Sequence, residues 1–243
     1  MAEEKEMQNQ GRGTVQGNEE GVDLAALMTL RARTYGMLSR LFLKEVDEKT
    51  LEELCGMRFP TATGNKDVDE GYRMLFEYLK LSWDDTVREL AIDYVHTFIG
   101  HGVNGYSAAY PFESVYTSER RLLMQEARAE VLQTLRENGL KRGSWTEGED
   151  HVALELEFMQ RMSMRAGEAL EAGDEDAAIA HLRTQQIFMR DHLLNWLPML
   201  VADMEKFSQT KFYQGLAKLT MGYLEEDSSV VDELLEGVED EAA

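Results

Sequence analysis

Cysteine and long apolar runs are scarce in this chain of 243 residues, and each scarcity excludes a class of protein. The single cysteine, Cys55, excludes an internal disulfide and a metal site built from a cysteine cluster. No segment approaches the roughly 18–20 consecutive apolar residues of a transmembrane helix, and no apolar run near the N-terminus resembles a secretory signal peptide. We therefore expect a cytoplasmic protein that has no stable membrane insertion.

Basic residues are also few in relation to acidic ones. The chain has 25 Lys and Arg against 46 Asp and Glu, which gives a formal net charge of −21. Such a field repels nucleic acid and anionic membrane surfaces, and it attracts cationic ligands over long distances. The excess of acid is also compatible with a role in solubility alone. The composition therefore predicts no nucleic-acid partner and leaves a cationic partner open.

Proline occurs only three times and β-branched residues are sparse, whereas leucine, alanine, methionine, glutamate and arginine are abundant. This composition favours helices. Asp23 is a suitable N-cap for a first helix, and apolar residues follow it at helical spacing: Leu27, Leu30, Leu38, Leu41 and Phe42. No segment alternates with the period of two that a strand requires. The sequence predicts an all-α fold.

The polar stretches of the chain suggest how the helices are organised. We expect a helical bundle of two subdomains joined by a hinge loop. The predicted parts are a disordered, polar N-terminal tail (1–21), an N-terminal helical subdomain (22–140), a hinge with two glycines (141–149), a C-terminal helical subdomain (150–226) and an acidic tail (227–243).

Local signals give more detailed expectations about the helix boundaries. Ser118 is expected to begin a helix with Leu122 and Leu123 on its buried side, and Asp174 is expected to cap a later one. Pro198 is expected to kink or break a helix after Trp196. The acidic chain from residue 225 onward is expected to fray.

Residues 100–105, GHGVNG, match the letters of the G-x-G-x-x-G dinucleotide fingerprint. That fingerprint needs a strand before the glycines and a helix directly after them, so that the helix N-terminus meets the pyrophosphate. Here a helix is expected before the glycines, and none begins on them. We interpret this segment as a flexible loop and predict no cofactor.

Two Asp-His pairs, Asp150-His151 and Asp191-His192, leave open a second class of function. If the pairs converged in space, they could hold a metal ion, and the protein would be an all-α metal-dependent hydrolase. Neither H-E-x-x-H nor paired E-x-x-H, the spacings typical of helical metal sites, occurs in the chain. His192 is alternatively a histidine that forms a hydrogen bond between helices.

Two segments together suggest a peptide-binding site. Residues 110–116, YPFESVY, place large or rigid side chains around one turn, and residues 147–151, EGEDH, gather carboxylates and a histidine before a helix. An aromatic floor with an acidic rim suits a basic, partly apolar peptide, because a carboxylate binds an arginine guanidinium through two hydrogen bonds. The alternatives are structural: Asp150 would only cap the helix beside it, and the aromatic residues would only be core.

Four stretches of the chain resemble the TorD/DmsD family, chaperones of redox enzymes that are exported by the twin-arginine pathway. They are residues 35–42 (YGMLSRLF), 93–100 (DYVHTFIG), 110–116 (YPFESVY) and 147–151 (EGEDH). Their order and spacing agree with the family from about residue 24 to residue 224. Gly148 stands where the family usually has proline, which predicts a more flexible loop. Thr97 stands where leucine is usual, which predicts a less apolar wall of the site.

The resemblance implies a non-enzymatic, all-α protein that binds the twin-arginine signal peptide of an apo molybdopterin oxidoreductase subunit, of the dimethyl sulfoxide or trimethylamine N-oxide reductase type, and prevents premature export. Components of the twin-arginine translocase are further candidate partners. A monomer and a domain-swapped dimer are both compatible with the family. By family position, the signal-peptide site comprises Tyr94, Phe98, Pro111, Phe112, Tyr116, Glu147, Asp150 and His151.

Overall fold

The computed structural model describes residues 23–100, 108–141, 143 and 146–241. The predicted N-terminal tail, most of the glycine loop after Gly100 and part of the predicted hinge lie outside these residues. Within the described ranges the chain forms helices and no β-strand, which confirms the predicted all-α bundle. None of the helices in these ranges has the length and apolar character that crossing a bilayer requires.

The helices follow one another with short connections. Their bounds are α1 Leu24–Leu43, α2 Glu48–Gly56, α3 Lys66–Lys80, α4 Thr86–Tyr94, α5 Glu113–Thr117, α6 Glu126–Glu137, α7 Val152–Glu171, α8 Glu175–Phe188, α9 Leu194–Phe207 and α10 Lys211–Glu241. A π-helical turn, Val95–Ile99, extends α4, and a second one, Met189–Leu193, joins α8 to α9. The predicted caps of α1 and α8 are confirmed, because Asp23 accepts a hydrogen bond from Ala26 N at 3.0 Å and Asp174 accepts one from Ala177 N at 3.1 Å.

Two long helix pairs form the body of the bundle. Helix α1 packs along α7, and α3 packs along α10. Glycines bring the second pair close together: a Cβ on Gly71 would lie 2.6 Å from Leu219 N, so only glycine fits there. The core between the helices is dense in large side chains that are fully buried, among them Tyr35, Phe42, Phe158, Phe188, Trp196, Phe212 and Tyr213.

The expectation that Ser118 begins a helix is wrong. The short helix α5 ends at Thr117, and α6 begins only at Glu126. Between them Arg121 and Met124 have positive φ angles of 50° and 61°, which no helix accommodates. As a result Leu122 and Leu123 are about half exposed, whereas helical spacing alone placed them on the buried side.

Of the two outcomes expected at Pro198, a kink or a break, the break does not occur, because α9 continues through the proline to Phe207. A proline inside a helix removes one hydrogen bond and its ring crowds the carbonyl of the residue four positions earlier, here Leu194. Leu194 directly follows the π-helical turn. Its ψ is −17°, and its N–H donates to Met189 O. The wider turn therefore absorbs the misfit immediately before the proline.

The chain does not fray after residue 225 within the described residues, because α10 continues to Glu241. Val231 and Leu235 extend its buried stripe. Asp227 is buried as well, and its carboxylate accepts two hydrogen bonds from Arg31 on α1, at 2.6 and 2.8 Å. The Tyr35 hydroxyl donates a third at 2.6 Å. An acidic residue of the expected tail is thus half of a buried ion pair between the first and last helices.

Helices on either side of residues 141–149 share one core. Besides the α1–α7 and α3–α10 pairs, Asp93 before the segment accepts hydrogen bonds from Gln209 N and Thr210 N after it, at 2.9 and 2.7 Å. The division into two subdomains around a hinge stays a prediction, and any separation of the two parts requires these contacts to open.

Replacing Asp227 with alanine should lower the free energy of unfolding by about 3–5 kcal/mol, because it leaves the Arg31 guanidinium buried without a counter-charge. Denaturant unfolding measures the change. Glu225→Ala, at an exposed position of the same helix, is the matched control and should change stability by less than about 0.5 kcal/mol. Adding Arg31→Met to the Asp227 variant should recover part of the loss. If Asp227→Ala and Glu225→Ala lowered stability equally, the buried ion pair would not explain the loss.

Candidate functional site

A cleft of about 580 Å³ opens between the α1–α2 connection, α4 with its π-helical turn, and the segments that precede α5 and α7. Most of the predicted site residues line it: Tyr94, Phe98, Pro111, Phe112, Glu147 and His151. The α1–α2 connection and the exposed side of α4 contribute further residues: Leu43, Lys44, Glu45, Val46, Asp47, Val87, Ala91 and Ile99.

Tyr94 and Phe98 form the floor of the cleft. Tyr94 is the last residue of α4, and Phe98 follows one turn later in the π-helical turn. Their ring centroids are 5.0 Å apart. The Tyr94 hydroxyl donates a hydrogen bond to Phe42 O at 3.0 Å, which ties the floor to α1. Both side chains are largely buried, at 7% and 3% exposure. The floor is therefore part of the core, and only a small part of each side chain is exposed in the cleft.

Phe112 and His151 form a second wall, held by a short antiparallel bridge. Glu113 N donates to Asp150 O, and Val152 N donates to Pro111 O, both at 2.9 Å. These bonds join the start of α5 to the start of α7. The Phe112 ring meets the His151 ring edge to face, with centroids 4.9 Å apart. Phe112 is half-buried, and it presents an aromatic surface that the bridge fixes in position.

Asp150 is buried beneath this wall and does not line the cleft. Its Oδ2 accepts a hydrogen bond from Ser114 N at 3.0 Å, so it caps α5 from a distant part of the chain. The helix beside it, α7, is capped by His151, whose Nδ1 accepts from Ala153 N at 3.1 Å. The alternative that Asp150 caps its own helix is therefore wrong about which helix it caps. A Cβ on Gly148 would lie 2.8 Å from Asp150 Oδ1, so glycine leaves room for this carboxylate.

Tyr116 and Thr97 also lie outside the cleft. Tyr116 stacks on Trp196 with centroids 5.5 Å apart, and its hydroxyl donates to Asp203 at 3.2 Å. Thr97 is fully buried and donates to Asp93 at 3.3 Å. The expectation that Thr97 makes one wall of the site less apolar is wrong, because its side chain points into the core.

The charges around the cleft are mainly negative. Three carboxylates, Glu45, Asp47 and Glu147, face one ammonium, Lys44, which lies 2.7 Å from Asp47. Burial lowers the pKa of His151 to about 3, so its imidazole is neutral at pH 7. Burial raises the pKa of Tyr94, and the nearby charges of Glu45 and Glu147 raise it further. The cleft thus combines aromatic surfaces with an excess of carboxylates over ammonium groups.

The carboxylates of the α1–α2 connection were not identified from the sequence. Glu45 and Asp47 lie in a short connection that matches no motif, and they reach the cleft only because α1 packs beside the end of α4. No pattern in the sequence signals that contact. Their acidity and their position next to the first family-like segment were the only available hints.

A buried group of ionisable residues lies beside the cleft. Glu113 Oε2 and His192 Nδ1 share a hydrogen bond of 2.9 Å, and Glu155 accepts one from Trp196 Nε1 at 3.1 Å. Burial raises the pKa of Glu155 well above its usual value, and the neighbouring Glu113 raises it further. Burial also raises the pKa of Glu113. The interpretation of His192 as a histidine that bonds between helices is confirmed.

The two Asp-His pairs do not form the metal site that the hydrolase alternative requires. Asp191 lies on the surface in an ion pair with Arg190, at 2.7 Å, while Asp150 bonds to Ser114 N and His192 bonds to Glu113. In the described part of the chain, no group of three or more His, Cys, Asp or Glu side chains is arranged to hold a metal ion. No observation favours the metal-dependent hydrolase.

Comparison with known families identifies the group of proteins to which this arrangement belongs. The profile of the nitrate reductase delta subunit family matches residues 65–202, more than half of the chain and a range that contains most of the cleft. The chain belongs to this family.

Its relatives include three bacterial proteins that carry the name chaperone protein TorD. The protein from Shewanella piezotolerans is 29% identical over 210 residues, covering 81% of this chain and 90% of the relative. Those from Vibrio cholerae and Photobacterium profundum are 27% and 28% identical, covering 88% and 82% of this chain and 97% and 93% of the relatives.

These relatives confirm the predicted membership of the TorD/DmsD family. Their name describes chaperones, a non-enzymatic role, in agreement with the prediction that this chain is not an enzyme. Three of the four segments that carry the resemblance, residues 93–100, 110–116 and 147–151, contribute residues to the cleft. Thr97, Tyr116 and Asp150 of these segments lie outside its lining.

Replacing Asp150 with alanine should lower the free energy of unfolding by about 1–2 kcal/mol, because Ser114 N loses its acceptor at the start of α5. Asp150→Asn keeps a side-chain oxygen in the same place and should cost much less. Thermal and denaturant unfolding measure both changes, and Asp174→Ala at the start of α8 provides the scale of an ordinary cap. If the asparagine variant is destabilised as much as the alanine variant, the negative charge matters more than the cap.

Replacing Glu155 with glutamine should raise stability relative to wild type as pH rises. The folded state holds a proton on Glu155 above its ordinary pKa of 4.5, while the unfolded state releases it, so wild type loses stability between pH 4.5 and the higher folded pKa. Glutamine resembles the protonated acid and has no such loss. The advantage of the variant should grow by up to about 1.4 kcal/mol per pH unit above pH 5.

Urea unfolding at several pH values between 5 and 8 tests this dependence. Glu168→Gln, at an exposed position of the same helix, is the matched control. Parallel pH profiles for wild type and the Glu155 variant would show that the buried carboxyl does not retain its proton.

Proposed function

We propose that this protein is a cytoplasmic maturation chaperone that binds the twin-arginine signal peptide of an apo molybdopterin oxidoreductase subunit in the cleft between α1, α4 and α7. Family membership and the name of the relatives support the chaperone role. The cleft itself supports the choice of ligand, and its shape and charge are the observation that carries the proposal.

The ligand of such a cleft has to be cationic at one end and apolar along its length. The excess of carboxylates over ammonium groups around the cleft attracts guanidinium groups. The rings of Tyr94, Phe98 and Phe112 offer an apolar surface for the residues that follow the arginines. A twin-arginine signal peptide has this order of basic and then apolar residues.

The client and its further partners follow from the family. By the TorD/DmsD resemblance, the client is the catalytic subunit of a reductase of the dimethyl sulfoxide or trimethylamine N-oxide type, bound while its cofactor is inserted. Holding the signal peptide in the cleft prevents export before that step is complete. Components of the translocase would take over the released peptide. The chain acts as a monomer or, by exchange across residues 141–149, as a domain-swapped dimer.

A labelled peptide with two consecutive arginines and an apolar segment should bind the full chain with measurable affinity. Phe112→Ala should weaken binding about tenfold, because a half-buried aromatic surface is lost from the cleft. The matched control is Phe76→Ala, which removes an exposed aromatic ring outside the cleft lining. Fluorescence anisotropy titrations, with thermal melts of each variant, provide the measurement.

Salt gives the same experiment a second readout. Association with wild type should slow as ionic strength rises, because exposed charges steer the peptide and salt screens them. The Phe112 variant should keep this salt dependence. Absence of peptide binding by folded wild type would overturn the proposed function. Equal losses in the Phe112 and Phe76 variants would place the site elsewhere.

A further inference from the structure

Glu45 occupies a fixed position on the rim of the cleft. It lies in the connection between α1 and α2, and this connection is anchored on both sides of it. Val46 is buried in the core at 2% exposure, and Asp47 caps α2 by accepting a hydrogen bond from Thr50 N at 2.8 Å. On the other side, Phe42 O receives the Tyr94 hydroxyl. The backbone of Glu45 is therefore held in place before a ligand arrives.

The Asp47 carboxylate interacts with residues of the α1–α2 connection and α2, whereas the charge of Glu45 influences the floor of the cleft. The Asp47 carboxylate lies 2.7 Å from Lys44 Nζ as well as capping α2, so its charge is compensated locally. Glu45 and Glu147 come from parts of the chain 102 positions apart, and both raise the pKa of the Tyr94 hydroxyl through their charges. Both residues also line the cleft whose floor Tyr94 forms.

The Tyr94 hydroxyl adds a hydrogen-bond acceptor to this part of the cleft. Its proton is donated to Phe42 O, so toward a ligand its oxygen acts as an acceptor. A group with several N–H donors and a positive charge matches one phenolic oxygen between two carboxylates. A planar guanidinium has five such donors in a fixed arrangement, whereas an ammonium is a compact charge with three.

We propose that Glu45 is the specificity-determining residue by which the cleft selects arginine over lysine in its peptide ligand, binding one guanidinium above the Tyr94 hydroxyl and opposite Glu147. The proposal rests on the proposed function, since it assigns the recognition of one ligand group within that cleft. It goes beyond that function because it names a residue of the α1–α2 connection as the one that recognises the guanidinium.

The test is a comparison of three proteins with two peptides. The proteins are wild type, Glu45→Gln and the matched control Glu48→Gln, which removes the same charge three residues away on the exposed first turn of α2, outside the cleft lining. The peptides share one sequence with two consecutive arginines and an apolar segment, and in the second both arginines are lysines. Their net charges are equal, so long-range attraction is the same for both.

Wild type should bind the arginine peptide about tenfold more tightly than the lysine peptide. Glu45→Gln should weaken binding of the arginine peptide about fivefold and that of the lysine peptide less than about twofold, so that discrimination falls. Glu48→Gln should affect both peptides equally and by less than about twofold. Isothermal titration calorimetry at one ionic strength gives all six affinities, and circular dichroism verifies that each variant is folded.

Each other outcome is decisive. If wild type binds neither peptide, the proposed function fails and this inference fails with it. If wild type binds but Glu45→Gln behaves like Glu48→Gln, Glu45 contributes only to the overall field and the inference alone is overturned. The same holds if Glu45→Gln weakens both peptides equally, because discrimination between arginine and lysine would then lie elsewhere.

Discussion

The backbone N–H groups at the starts of two helices depend on aspartates from distant parts of the chain, and the cleft depends on those bonds. Asp150 accepts from Ser114 N at the start of α5. Asp93 accepts from Thr210 N at 2.7 Å and from the Thr210 hydroxyl at 2.6 Å, at the start of α10. The first N–H groups of a helix have no partner within the helix, and burying them unpaired is costly. Each aspartate also precedes a residue of the cleft, Tyr94 or His151, and so sets its position.

Negative charge has two separate roles in this protein. Buried carboxylates are paired with arginine, as in Asp227, or bonded to backbone N–H groups, as in Asp150, or have a pKa that burial raises, as in Glu155. Other carboxylates, such as those of Glu45 and Glu147, belong to exposed residues that line the cleft. The strongly acidic composition therefore describes two populations of residues, of which only the second concerns a cationic partner.

Helix composition, periodicity and the caps Asp23 and Asp174 were sufficient to predict the all-α fold, since these are local properties. Six of the eight site residues that the family-like segments indicated also line the cleft. Contacts between distant residues could not be predicted: which helix Asp150 caps, the pairing of Arg31 with Asp227, and the approach of Glu45 to Tyr94. Exposed Leu122 and Leu123 show the opposite error, because an apolar pattern carries no information about a positive φ that interrupts the helix.

The α3–α10 pair and the Asp93 bonds have a consequence for synthesis on the ribosome. The cleft floor at Tyr94 is adjacent to an aspartate whose acceptor oxygens are satisfied by residues 209 and 210, and α3, just before α4, packs along a helix that ends at Glu241. Residues of a nascent chain leave the ribosome in order, so the last helix arrives after every residue that lines the cleft. A growing chain therefore presents the residues that line the cleft before α10 is available to pack against α3 and Asp93 beside them.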